Sequence, residues 1–244
     1  MRIALFSDIH ANLAAFEAML KDMDGQNPDI IYCLGDLVGY HIYPNEIIEE
    51  IRRRKIGTLK GNHDEKIEKI KTTAESLQEP GKNYAYHLIK EENRTYLKAL
   101  PAHIKLEYKL RAGLLNLMFA HGSTRRIDEY ILEDTDENYV LELMEEADAH
   151  LLFVGHSHKP YHRILKTNGS SVRRVVNIGS AGKPKDGDPR GCYVMLTLEP
   201  DAEILKNCFQ VEFRRFKYDV ETSAEDIEKS LLPNEFAENI RNAF

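Results

Sequence analysis

RIALFSDIHANLAAFEAMLKDMDGQNPDIIYCLGD, residues 2–36, holds the unit from which the rest of the chain is read. Arg2 to Ser7 is an apolar run of strand length, too short for a helix. Leu13, Phe16, Leu20 and Met23 then recur at helical spacing until Asp24-Gly25 breaks the pattern. Asp29 to Leu34 returns to a short apolar run. Strand, helix and strand in close succession predict a parallel pair covered by the helix between them. The rhythm continues. Pro44 suits the first turn of a second helix, with Ile47, Ile48 and Ile51 on one face. Lys55 to Lys60 reads as a third strand, weakened by Gly57.

Residues 64–100 read as helical and highly charged, with a break near Pro80-Gly81. Downstream, strand-like segments at 103–110, 114–120, 150–154, 161–166, 172–178, 191–198 and 203–213 are mostly separated by turns, which predicts antiparallel neighbours. One helix, at about 133–147, interrupts them. The segment from Ser223 to Phe244 has a capping-type start and an apolar set at Ile227, Leu231, Phe236 and Ile240. This stretch, 221–244, is expected to be helical and to pack on its own domain or on a second subunit, so a homodimer is compatible with the sequence. No repeat, low-complexity tract or Pro/Ser-rich linker divides the chain, which favours a single domain over 1–244.

Composition excludes several functions. The formal net charge is −7, and the pI is near 5.8. A protein that grips nucleic acid without regard to sequence needs a basic surplus to displace counterions, so no stable nucleic-acid partner is expected. A small phosphorylated substrate stays open, because bound cations reverse the local charge. The apolar run at Ile3 to Phe6 is too short for a signal peptide, and no later run reaches the roughly 18–20 residues that span a bilayer. The chain therefore reads as cytoplasmic and not membrane-bound. Cys33, Cys192 and Cys208 are far apart, without a CxxC pair, and read as small buried residues rather than disulfides or a thiolate metal site.

Five short segments place metal-capable side chains immediately after apolar runs: Asp8-Ile9-His10, Gly35-Asp36, Gly61-Asn62-His63-Asp64, His121-Gly122 and Gly155-His156-Ser157-His158. In open α/β folds, ligands bind at the C-terminal edge of the strands, where the loops converge. Taken singly, each has a plainer reading. Asp8 reads as a cap and His10 as a surface residue, Asp36 as a turn residue, Asn62 as another cap, and His121 as a half-buried histidine. Only GHSH at 155–158 carries comparable weight alone. Their conjunction at successive strand ends has no economical structural explanation.

The order DxH, GD, GNHD, H, GHxH resembles the signature of the calcineurin-like metallophosphoesterases. SDIHANLAAFEAML is similar to the SDIHGN opening of small prokaryotic members, with Ala11 where Gly is usual. GDLVGYHIYPNEII resembles their GDLVGYG-x-x-PNE segment, and VVNIGSAGKPKDGDPRGCYVML their NPGS-x-G-x-P-x-DGDPR segment, with Ile178 in place of Pro. The resemblance covers about residues 1–198. It implies an α/β fold, a four-layer α/β/β/α sandwich of two mixed sheets flanked by helices. It also implies two divalent metal ions, one held by Asp8, His10 and His158, the other by Asn62, His121 and His156, with Asp36 bridging. These oxygen and nitrogen donors without sulfur suit manganese first, with iron or zinc as alternatives.

The activity so implied is hydrolysis of small phosphodiesters or nucleotides by hydroxide attack on phosphorus. His63 takes the role of facing substrate, protonating the leaving oxygen or stabilising the transition state. Asp64 could orient His63, but a carboxylate in a first helical turn is stabilising in itself, and that reading is preferred. Three residues are weaker candidates for substrate binding: Asn12, which equally suits a helix start; Arg125, which equally suits a solvated loop; and His41, at the mouth or simply exposed. A phosphomonoesterase or protein phosphatase is the alternative, demoted because Gly35-Asp36-Leu37-Val38-Gly39-Tyr40 lacks the Asp-Arg pair of GDxVDRG. A non-catalytic scaffold on the same fold is the other alternative, opposed by the complete ligand set and His63.

Overall fold

The computed structural model describes residues 1–166 and 173–244. Strands β1 (Arg2–Phe6), β2 (Ile30–Cys33) and β3 (Gly57–Thr58) run parallel, joined by α1 (Leu13–Gly25) and α2 (Pro44–Arg54). Asn12 caps α1 by accepting the Ala15 amide at 3.2 Å, and Pro44 opens α2. Both helices arise where the periodicity places them. Strands β9 (Gly191–Leu198) and β10 (Phe209–Phe216) complete this sheet antiparallel on the far side of β1, in the order β10-β9-β1-β2-β3.

The second sheet is also five-stranded and mixed, in the order β4-β5-β6-β8-β7. It comprises β4 (His103–Leu110), β5 (Gly113–Ala120), β6 (Leu151–Val154), β7 (Tyr161–Ile164) and β8 (Arg174–Asn177), with α6 (Glu137–Glu146) leading from β5 to β6. The expectation of antiparallel neighbours holds for β4–β5, β7–β8 and β9–β10 but fails at the centre, where β5, β6 and β8 are parallel. All four residues of β6 are buried, the signature of a central strand covered on both faces. Residue 172, the first of the expected strand 172–178, lies outside the described residues.

Period-two alternation sorts the core into layers. Ile3 and Leu5 of β1 face Leu151 and Phe153 of β6 across the gap between the sheets. Ala4 and Phe6 turn instead to Phe16, Met19 and Ile47 of the covering helices. On the other sheet Leu152 and Val154 pack against Val140, Leu143 and Met144 of α6. The result is the expected α/β/β/α stack.

Three segments differ from the sequence reading. Residues 64–100 are helical only at α3 (Asn62–Lys66), α4 (Tyr84–His87) and α5 (Glu91–Lys98). The expected strand 203–213 begins only at Phe209, after a 3₁₀ turn at Leu205–Asn207, so that Phe209, Val211 and Phe213 reach the inter-sheet core. The C-terminal segment forms two helices, α7 (Val220–Glu228) and α8 (Glu235–Asn242), split ahead of Pro233. Asp219, not Ser223, caps α7. Their apolar faces pack on Tyr40, Ile42 and Ala85 of the same chain. Among the described residues no helix is long and apolar enough to cross a membrane. All three cysteines are buried and unpaired.

Candidate metal centre

The loops after β1, β2, β3, β5 and β6 each deliver side chains to a common cluster. The ligand atoms of Asp8, His10 and His158 lie within 4.8 Å of one another. The same limit holds for Asp36, His121 and His156, and for His10, Asp36 and His63. Asn62 Oδ1 stands 3.1 Å from His121 Nε2. All seven side chains expected as ligands therefore meet, and His63 faces them.

Backbone conformation does much of the placing. Asp8, His10, Asp36, His156 and His158 all have φ between 50° and 64°, a left-handed region that non-glycine residues seldom enter. The loops also press together where only glycine fits. A Cβ on Gly61 would lie 2.1 Å from Asp36 Oδ1, and one on Gly182 would lie 1.9 Å from the Ile9 carbonyl.

Hydrogen bonds then aim the rings. The Nδ1 atoms of His10, His121 and His158 sit 3.0, 2.7 and 2.5 Å from the carbonyls of Val38, Leu34 and Lys183. Only an N–H can bond a carbonyl, so each of these rings carries its proton on Nδ1 and turns Nε2 inward. His10 Nε2 and His158 Nε2 consequently lie 3.2 Å apart. Asp8 Oδ2 accepts the His156 amide, while Oδ1 is buried without a hydrogen-bond partner, 3.1 Å from His158 Nε2. Converging lone pairs around an orphaned carboxylate oxygen suit an electrophile at their centre. The donor set fits a divalent cation.

Charge follows the same geometry. Burial opposes ionisation of Asp36, yet His121 and His63 hold its carboxyl well below the usual range. Burial likewise opposes a charge on His121, but Asp36 and Asp8 outweigh it and raise that ring to about 10, so a cation binding at its Nε2 has a proton to displace. His10, His156 and His158 are lowered mainly by burial, and neutral imidazole is the metal-binding form. Asp36 Oδ2 is 3.6 Å from His10 Nε2 and 3.3 Å from His121 Nε2, between the two clusters.

Asp64 does not reach His63. Its oxygens accept the amides of Asp36, Leu37 and Gly61 at 2.8–2.9 Å, tying the loops after β2 and β3 together. His63 is held instead by Tyr86, whose hydroxyl lies 2.5 Å from Nδ1 with the two rings 20° from parallel. Tyr86 belongs to no motif, and no feature of the sequence marks it. Tyr40 completes the wall, 4.8 Å from both His10 and His63, backed by Phe236 of α8 and by Lys183 Nζ over its ring. Tyr130 stacks on His156 at 4.1 Å and is 54% exposed.

The three weaker candidates lie apart from the convergence. Asn12 is buried, capping α1 and donating to the Gly182 carbonyl at 2.8 Å. His41 is buried rather than exposed, with Nδ1 3.0 Å from the His10 carbonyl and Nε2 unpartnered. Arg125 is taken up by Glu142 and Glu146 of α6.

Residues 1–201 match the calcineurin-like phosphoesterase superfamily domain. An uncharacterized protein of Methanocaldococcus jannaschii is 32% identical, over 98% of this chain and 96% of its own. The crystal structure of a metallophosphoesterase from Sphaerobacter thermophilus superposes with a TM-score of 0.79 at 29% identity, covering 100% of this chain and 99% of the other. A hypothetical protein of Pyrococcus horikoshii shares the fold, with a TM-score of 0.75 at 22% identity over 98% and 97% of the two chains.

Proposed function

Because the chain belongs to the calcineurin-like phosphoesterase superfamily, a family of metal-dependent phosphoesterases, we propose that it hydrolyses small phosphodiesters or nucleotides at a two-metal centre. Asp8, His10 and His158 hold one ion, Asn62, His121 and His156 the other, and Asp36 is shared. The observation that carries this reading is the near-equal approach of Asp36 Oδ2 to the inward nitrogens of His10 and His121. Manganese is the first expectation from the oxygen and nitrogen donors. Divalent ions there supply Lewis acidity toward the phosphoryl oxygens and a source of hydroxide at neutral pH.

The chain supplies orientation and a hydrogen-bonding group. Burial pushes the Tyr86 hydroxyl far above its usual range, so it keeps its hydrogen, and its bond with His63 Nδ1 fixes the ring. With Nδ1 so engaged, Nε2 is the nitrogen left to face a leaving oxygen. Burial also lowers His63 to about 4, so near pH 7 the ring is neutral and acts through hydrogen bonding on the charge that develops in the transition state.

Replacing Asp36 by Asn tests the proposal. Manganese-dependent hydrolysis of bis(p-nitrophenyl) phosphate is expected to vanish while circular dichroism stays native. Undiminished turnover would exclude the mechanism, and a wild-type protein neither loading metal nor turning over would favour a binding scaffold instead.

A further inference from the structure

Resting on that reading of the site, we infer that Tyr130 selects, among small phosphate esters, those carrying a flat aromatic ring, which it stacks beside the second ligand cluster. Three rings stand in sequence there. His156 lies 5.1 Å from His121 and is tilted by 56° to it. Tyr130 then lies on His156 at 4.1 Å, within 17° of parallel. Exposure rises along the series from 1% at His121 to 8% at His156 and 54% at Tyr130. The rings thus lead from the ligand groups outward to solvent, and Tyr130 is their accessible end.

An exposed side chain on a loop is ordinarily left to move. This one is fixed from both sides. The Glu129 carboxylate accepts the Tyr139 hydroxyl at 2.6 Å, and the Ile131 carbonyl accepts the Tyr161 hydroxyl at 2.6 Å. Ile131 itself is buried. The carbonyls of Arg126, Ile127 and Glu129 close over Gly122, where a Cβ would meet them at 2.6–2.8 Å, so the segment is pressed onto the neighbour of the ligand His121. The Asp128 carbonyl lies 3.2 Å from His156 Nε2. Among the described residues, the Tyr130 ring meets no ring but His156, and its hydroxyl makes no hydrogen bond. His156 takes one face, which leaves the outer face and the edge free. A ring already held in place accepts a second ring without a further ordering cost of its own, and offset or edge-on contact between the two is favourable. An ester group that extends from a phosphate at the centre toward solvent on the His156 side passes this ring.

Calorimetric titration of the manganese-loaded protein with benzylphosphonate, cyclohexylmethylphosphonate and methylphosphonate tests this without turnover. The first two have the same reach and similar size, and only the first carries a flat ring. Wild type is expected to favour benzylphosphonate over its saturated counterpart about fivefold. Tyr130→Phe should keep that ratio. Tyr130→Leu should bring it close to one, with manganese stoichiometry and methylphosphonate affinity unchanged. Equal binding of the flat and saturated ligands by wild type overturns the inference, as does a Tyr130→Leu variant that keeps the ratio. Loss of manganese from Tyr130→Leu would reduce Tyr130 to a support for His156 and overturn it likewise. Failure of wild type to bind methylphosphonate would remove the two-metal centre, and this inference with it.

Discussion

Replacing Tyr86 by Phe removes one oxygen and little else. The ring that stacks beside His63 stays, as does its burial, but His63, itself 8% exposed, loses the hydrogen-bond partner that Nδ1 has among the described residues. Leaving a buried polar atom unpaired costs about 1–3 kcal/mol. Each 1.36 kcal/mol corresponds to tenfold in rate, so the step relying on His63 should slow roughly 5- to 150-fold. The assay compares bis(p-nitrophenyl) phosphate, whose leaving group departs unaided, with a phenyl or alkyl phosphodiester that must be protonated. The variant should lose most on the poor leaving group, follow His63→Ala in direction at smaller size, and keep its metal content. Equal loss on both substrates, or wild-type rates on the poor one, would refute the assignment of Tyr86 as the residue that positions His63.

Two further outcomes follow from the geometry. Burial lowers His41 from 6.5 to about 3, with Lys183 adding to the effect. A histidine lowered on folding adds stability that is complete above pH 6.5 and disappears as pH falls toward 3, at up to about 1.4 kcal/mol per pH unit. His41→Gln should therefore be less acid-sensitive than wild type in denaturant titrations between pH 6.5 and 4, and parallel curves would contradict this. Gly61→Ala places a methyl group 2.1 Å from Asp36 Oδ1 and 2.3 Å from Asp36 N, atoms fixed by the His63 amide and by Asp64. A stability loss of about 1–3 kcal/mol is expected together with reduced metal stoichiometry, and native metal content would show that the loops can separate.

The layers were legible because each β-strand around the site carries its own alternation. Ile3 and Leu5 against Ala4 and Phe6 is a pattern visible without coordinates. The seven convergent side chains were legible because they follow strands directly. Pairing order in the second sheet was not, since β6 and β8 sit side by side through a connection that passes by way of β7 at the edge. The stretch after Lys66 carries enough Lys and Glu to look helical, yet only four residues between 67 and 90, Tyr84–His87, form helix. Tyr86 and Tyr40 escaped because their roles depend on which face of a short helix or turn meets His63, and composition is silent on that. Asn12 and Arg125 have suitable chemistry near a motif, and the structure engages them with Gly182 and with the acids of α6, contacts that their sequence neighbourhood does not announce.

The five left-handed residues that carry the ligand groups bear on how the site can be dissected. At about 1 kcal/mol each, their combined backbone cost rivals the smaller net stabilities of whole domains. A valine or threonine at Asp8 or His156 would thus be penalised by torsion before any lost chemistry was felt. Asparagine, tolerant of that conformation, separates the two effects: the fold persists, and what disappears is the charge of Asp8 or the imidazole of His156.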